Sequence, residues 1–242
     1  DDPVALQNPI ASNLAVMRSS LIGGLTGALR FNLNRKQSRV RLFEIGACFA
    51  KIDNKYTQTQ RLSGIACGAA QPEQWGAAAK PVDFYDVKAD VQALFAPQQL
   101  SFESSPHPAL HPGRSARIHR AGQAVGWIGE LHPQWQQKYD ISQGVVCFEV
   151  DATALQDAPL PSPAIPSRFP PVARDIALLV DANVGVQSLL EVIATDRPRI
   201  VQEVRLFDLY QGPNLPPGKK SLAFRVVMQD TERTLTDAEA DS

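Results

Sequence analysis

Cysteine is scarce in this sequence. Cys48, Cys67 and Cys147 lie far apart, and no two of them form a CxxC pair. Disulfide scaffolds and zinc ribbons need closely spaced pairs, so neither describes the chain, and a reducing cytoplasm is the simpler setting. No run of about 18 apolar residues occurs, which excludes a membrane-spanning helix. The opening DDPVALQNP has no basic stretch followed by an apolar one, so no secretory signal is read there. It also lacks a Met and enters a strand-like VALQ at once, which reads as part of a longer chain. Net charge is nearly absent: −1 at pH 7 over 242 residues. That is far from the excess of a protein that holds nucleic acid by bulk attraction, though a local RNA-contacting face remains compatible with it.

Apolar residues are plentiful at 44%, and charged ones make up 20%, a composition that builds cores and argues against global disorder. The length suits two domains. The boundary is the stretch DAPLPSPAIPSRFPP, residues 157–171, in which six of fifteen residues are proline. Proline removes donors and fixes φ, so an extended connector is expected there.

Before the connector, SSLIGGLTGALRFNLNR sets Leu21, Leu25, Ala28 and Leu29 on one helical face, with Ser19 or Ser20 as cap and Asn34 as its end. Gly23, Gly24 and Gly27 lower helix propensity, so close packing against a neighbour is expected at them. RVRLFEIGACFA and RLSGIACGAA read as strands. VDFYDVKADVQALFA reads as a helix with Phe84, Val87, Val91 and Leu94 inward. ARIHRAG and QAVGWIGEL form a hairpin across Ala121-Gly122, and GVVCFEVDATAL is a strand running into a turn. Helices alternating with hairpins indicate α+β with a mostly antiparallel sheet. After the connector come a strand (VARDIALLVD), a helix with Val186, Leu189, Leu190 and Ile193 inward, and two strands joined by GPNLPPG. A capping box at Thr236 and Glu239 opens a last helix. This order is a split βαβ, or ferredoxin-like, unit lacking its final strand.

Together, NPIASNLAVMRSSLIGGLTGALRFNLNRKQSRVRLFEIG, VDFYDVKADVQALF, HPGRSARI, IGELHP and SRFPPVARDIALLV…VRLFDLYQGPNLPPGKKSLAFRVV…RTLTDAE resemble the C-terminal part of the bacterial phenylalanyl-tRNA synthetase β subunit, end to end. The resemblance implies an inactive class II synthetase-like antiparallel sheet module over 1–156, the connector over 157–171, and a C-terminally incomplete ferredoxin-like βαββα(β) anticodon-binding domain over 172–242. It implies a catalytic α subunit and phenylalanine tRNA as partners in an α2β2 assembly. It implies ATP and magnesium as cofactors of the full enzyme, with none bound by this portion. The family's editing site and acidic magnesium cluster belong to other domains and are not transferred to these residues.

In class II synthetases a motif 2 strand ends on an arginine that grips the ATP α-phosphate, a task suited to a bidentate guanidinium. The matching position here is Ala50. Lys51, one residue on, points to the opposite face, and no counterpart of the Gly-rich third motif is found. No catalytic residue is therefore assigned. Rescue of ATP binding by Lys51 or Arg41 is the minor alternative. His107 and His111 have HxxxH spacing, but a proline follows each, which opposes the helix that would align them, so no metal site is assigned. Arg114 in HPGRSARI has two open readings, an anion or partner contact at an interface and a structural ion pair. Glu130 and His132 resemble an acid–base pair without a nucleophile. Trp75, Trp127 and Trp135 are too scattered for a stacking platform.

In the second domain, strand parity sets Ile176, Leu178 and Val180 with Leu222, Phe224 and Val226 on the face beneath the helix. The opposite face carries Ala173, Asp175, Ala177, Ser221, Ala223 and Arg225. Small and polar residues let a base lie against backbone while hydroxyl and guanidinium groups read its edges. Tyr210 adds a ring for stacking. The resemblance places Ala177, Tyr210 and Ser221 at anticodon-contacting positions, and Arg225 and Arg174 complete the expected RNA-binding set. Arg168, Lys219 and Lys220 are further phosphate candidates. Two other functions stay in play, a protein-interaction scaffold without RNA contact and a free-standing class II-like ligase.

Overall fold

A computed structural model of the protein describes residues 3–156 and 166–241. The chain divides into two compact units, Asp1–Pro161 and Ser162–Ser242. Most of the proline-rich connector, residues 157–165, lies outside the described residues, and 166–171 carries neither helix nor strand.

The first unit is built on a six-stranded sheet in which every pairing is antiparallel. Its strands are β1 (Val40–Ile52), β2 (Lys55–Cys67), β3 (Leu100–Ser104), β4 (Leu110–Arg120), β5 (Gln123–Leu131) and β6 (Val145–Asp151), in the spatial order β1-β2-β6-β5-β4-β3. Helix α1 (Ile22–Leu33) precedes them, α2 (Phe84–Phe95) connects β2 to β3, and the short α3 (Pro133–Lys138) connects β5 to β6. One core gathers α1 residues Ile22, Leu25 and Leu29 with Val40, Ile65, Leu131, Val145 and Cys147. The other gathers α2 residues Val87, Val91 and Phe95 with Leu62, Ile118, Ile128, Val146, Phe148 and Val150. The sheet is thus covered on both faces, which is why β6 reads VVCFEV as one buried run instead of alternating. Fully burying side chains such as Leu29, Val91 and Ile118 contributes about 1.5–3 kcal/mol each.

Turn chemistry fixes the hairpins. Ala121 (φ 48°) and Gly122 (φ 79°) form the expected two-residue connection between β4 and β5. Asp53 (φ 48°) and Asn54 (φ 65°) form a second, joining two strands of 13 residues each. The helices correct the expected inward faces by one position each. In α1, Ile22 takes the buried place expected of Ala28, which is exposed. In α2, Phe95 is buried and Leu94 is exposed. The α1 glycines do not meet a close neighbour: a side chain at Gly23 or Gly27 would touch nothing within 4 Å, and one at Gly24 only the Glu44 carboxylate.

The second unit has strands β7 (Val172–Asp181), β8 (Val201–Tyr210) and β9 (Lys219–Met228) in the order β7-β9-β8, with helices α4 (Val186–Thr195) and α5 (Asp237–Ala240). β7 and β8 each run antiparallel to β9, so they are parallel to each other and joined by the α4 crossover. Leu222 and Phe224 are buried on the covered face of this sheet, while Ile176 at its edge stays half-exposed. The α4 stripe of Val186, Leu189, Leu190 and Ile193 is half-buried.

Candidate nucleic-acid interface

Strand register arranges the uncovered face of the second sheet in rows. Tyr210 on β8 pairs with Ser221 on β9, which pairs with Leu179 on β7. The next row is Asp208, Ala223 and Ala177, and the next Arg205, Arg225 and Asp175. Neighbouring strands lie about 4.8 Å apart and same-face residues along a strand about 6.8 Å apart. Ala223 and Ala177 therefore form a low floor between a hydroxyl-and-ring row and a charged row. Asp208 stands at its edge, exposed, with a carboxylate able to accept hydrogen bonds.

A β-bulge between Leu206 and Asp208 adds a residue that strand parity does not predict. Phe207, 48% exposed, comes to lie beside Arg225, whose guanidinium carbon is 5.2 Å from the ring centroid. That guanidinium is held by an acid across the sheet. Its Nε and Nη2 each donate to Asp175 at 2.8 Å, a fork that holds the Asp175 carboxyl below its usual range and raises the arginine. Lys219 pairs likewise with Asp181 at 2.7 Å, and Arg205 with Glu203 at 4.0 Å.

Tyr210 is 41% exposed at the end of β8. Its ring rests over Gly212, where any Cβ would collide with the phenol ring and its hydroxyl. The structure thus brings Ala177, Tyr210, Ser221 and Arg225 to one face. It does not bring Arg174 there. Position 174 has the parity of the covered face, opposite Val226, and its guanidinium donates to Asp241 (2.6 Å) and Asp237 (2.8 Å), tying α5 to β7. Lys220 is buried on that same covered side, opposite Val180, whereas Arg168 is exposed.

The remaining candidates of the first unit have partners within the chain. Arg114 donates to Glu130 at 2.8 Å, both strands of that hairpin contributing one partner. His132 lies past the end of β5 and caps α3, its Nδ1 accepting from the Gln134 N–H. His107 stacks on Trp127 with ring centroids 4.7 Å apart, and burial lowers its pKa. The Nδ1 atoms of His107 and His111 accept from the backbone of Ala109 and Gly113. Among the described residues no cluster of three or more His, Cys, Asp or Glu is placed to hold a metal ion. Ala50 sits near the tip of the β1–β2 hairpin, opposite Thr57, with its carbonyl accepting from the Thr57 hydroxyl.

Sequence reasoning missed one buried charge. Glu149, 4% exposed, accepts from Ser20 Oγ (2.9 Å), the Leu21 N–H (2.7 Å) and Arg61 Nη1 (2.6 Å). Leu21 is the N-cap of α1 and offers no side-chain cap. Ser20 Oγ accepts from the Ile22 N–H at 3.1 Å, as expected of a cap, and a carboxylate from the central strand takes the Leu21 N–H, favoured by the partial positive charge of the helix start. Its only signal in the sequence is a lone acid inside an apolar run.

Two family models match the chain. One describes the phenylalanyl tRNA synthetase beta chain CLM domain and covers residues 1–152. The other is the ferredoxin-fold anticodon binding domain, over residues 167–242. A two-unit protein with an antiparallel sheet unit followed by a ferredoxin-fold anticodon-binding unit is the class so defined. The chain belongs to the phenylalanyl-tRNA synthetase β chain family. It is 52% identical over 239 residues to the phenylalanine–tRNA ligase beta subunit of Nitrosospira multiformis, and 52% identical over 244 residues to that of Dechloromonas aromatica. Each alignment covers 99% of this chain, which spans 30% and 31% of those relatives. A solved pyrrolysyl-tRNA synthetase from Desulfitobacterium hafniense is distantly similar, at 15% identity over 64% of this chain and 52% of its own, with a TM-score of 0.45.

Proposed function

We propose that this chain is the non-catalytic supporting and anticodon-reading part of a phenylalanine–tRNA ligase β subunit. The observation that carries the reading is the uncovered sheet face, where Tyr210 and Ser221 share a row beside the Ala223–Ala177 floor and Asp208. A base fits flat on that floor, with a ring for stacking and a hydroxyl and carboxylate for its edges. The first unit is then a class II synthetase-like module that has lost its phosphate-gripping arginine at Ala50. It supports a catalytic α subunit in a cytoplasmic α2β2 assembly. The assembled ligase uses ATP and magnesium, and no residue of this chain is assigned to either. Phe43 and Ile45, exposed on the edge strand β1, offer apolar surface to such a partner. No helix among the described residues is long and apolar enough to cross a membrane.

The test is phenylalanine tRNA binding by the ligase assembled with its α subunit, carrying Tyr210→Ala or Ser221→Ala. Loss of the ring is expected to weaken binding roughly 10-fold, and loss of the hydroxyl less. Both variants retain the wild-type rate of ATP–pyrophosphate exchange. Unchanged tRNA affinity in both would instead make the chain an interaction scaffold without RNA contact, and pyrophosphate exchange by this chain alone would make it a free-standing ligase.

A further inference from the structure

Phe207 has no part in the sequence-derived RNA-binding set, yet the geometry places it on the same face. Leu206 pairs with Phe224 on the covered face, so residue 207 turns to the uncovered one, and strict alternation would then return 208 and 210 to the covered side. The bulge between Leu206 and Asp208 breaks that alternation, and the Arg225 guanidinium lies over the ring at 5.2 Å. Arg225 belongs to the uncovered face by its register with Asp175 and Arg205, so the ring lies there too. The brace is itself fixed, because both oxygens of Asp175 hold the guanidinium. What results is an aromatic ring gripped on one side, close to half of its surface open, on an edge strand of the sheet. An exposed phenylalanine without such a brace explores several rotamers, whereas a braced ring loses less entropy when a flat partner arrives.

We propose that Phe207 is a second stacking platform, taking the base next to the one that stacks on Tyr210. This rests on the anticodon-binding reading of the face. Phe207 and Tyr210 are three residue steps apart along β8, roughly 10 Å of extended chain. One base cannot touch both rings at that distance, since stacked planes lie about 3.4 Å apart. Two successive, unstacked nucleotides span it. Asp208 stands between the rings as a carboxylate and the alanine floor lies beside it, so the edge of one base is read there. The Phe207 ring carries no donor or acceptor of its own. It is therefore tolerant of base identity and sensitive only to whether a base is present. Arg225 acts as a positioning residue, holding the ring instead of reading a base.

The experiment uses the 242-residue chain and an anticodon stem-loop of phenylalanine tRNA with 2-aminopurine placed in turn at each loop position. Two adjacent positions are expected to be quenched on binding. Phe207→Leu, which keeps an apolar side chain in the bulge, relieves the quench at one of them and weakens binding roughly 10-fold. Phe207→Trp retains it. An abasic substitution at that position costs the wild type the same factor and costs Phe207→Leu nothing further. Tyr210→Leu relieves the other position alone. If Tyr210→Leu weakens binding while Phe207→Leu stays within twofold and leaves both positions quenched, the second platform is wrong and the anticodon reading stands. If neither variant changes binding, or the wild type leaves every position unquenched, both fall. Near-ultraviolet circular dichroism of each variant separates lost stacking from lost fold, and a Phe207→Leu that unfolds leaves the decision to the abasic substitution on the wild type.

Discussion

Removing the Glu149 carboxylate orphans three donors at once: the Ser20 hydroxyl, the Leu21 N–H and the Arg61 guanidinium. The first two belong to the start of α1, so the loss reaches the helix as well as the strand. Glu149→Ala is expected to lower the unfolding free energy of the first unit by about 3 kcal/mol. Arg61→Ala costs less, because its side chain is already one-third exposed and the helix start keeps its acceptor. Trp75, Trp127 and Trp135 all lie in the first unit, so tryptophan fluorescence in a urea titration reports this change without interference from the second. At this scale the sequence was readable where a residue's place on a sheet face follows from parity, as for Ala177 and Ser221. It was not readable for Glu149, whose donors lie more than 80 residues away in the chain. The pairing of Arg225 with its directly cross-strand neighbour Asp175 was not foreseen.

At the scale of elements, local chemistry sets most boundaries. The Thr236 box opens α5: Glu239 accepts from the Thr236 N–H at 3.0 Å and pairs with Arg233 at 2.5 Å. These partners pull the Glu239 carboxyl from 4.5 down to about 2, the Thr236 backbone N–H contributing most. A depressed carboxyl stabilises the folded state above its unfolded value, and that contribution fades as pH falls from about 4.5 through about 2. Carbon-detected NMR is expected to give a Glu239 midpoint near the lower figure, and Arg233→Ala should raise it. The Ala121-Gly122 hairpin and the α5 box were both legible, each being a short pattern with a fixed geometry. The Asp53-Asn54 turn was not, although both residues tolerate the left-handed region, so the long β1–β2 hairpin went unrecognised. In α2 the choice between Leu94 and Phe95 lay within the ambiguity of a 3.6-residue period, and the aromatic side chain takes the core place. Phe207 escaped because a bulge is invisible to a rule of strict alternation.

Over the whole molecule the net charge is only −1. The three cations on the uncovered face of the second sheet, Arg225, Lys219 and Arg205, each stand beside an acid. Under the proposed anticodon reading, such a face gains little from releasing counterions and relies on stacking and edge recognition. A plot of log affinity against log salt for single-stranded loop binding by this chain is expected to have a slope no steeper than about −2, corresponding to two or three phosphate contacts. A slope near −5 would require a cationic surface that these pairings do not leave. The two-domain division and near-neutral chemistry were visible in composition and proline content. The sheet order of each unit was not, because it depends on pairings between distant segments.

Gly212 contributes no side chain to any surface, yet the Tyr210 phenol rests against it. Adding even one methyl group there would evict the ring from its perch and swing it elsewhere. Under the proposed anticodon reading, variation at this silent glycine would then weaken stacking by displacing the ring it supports.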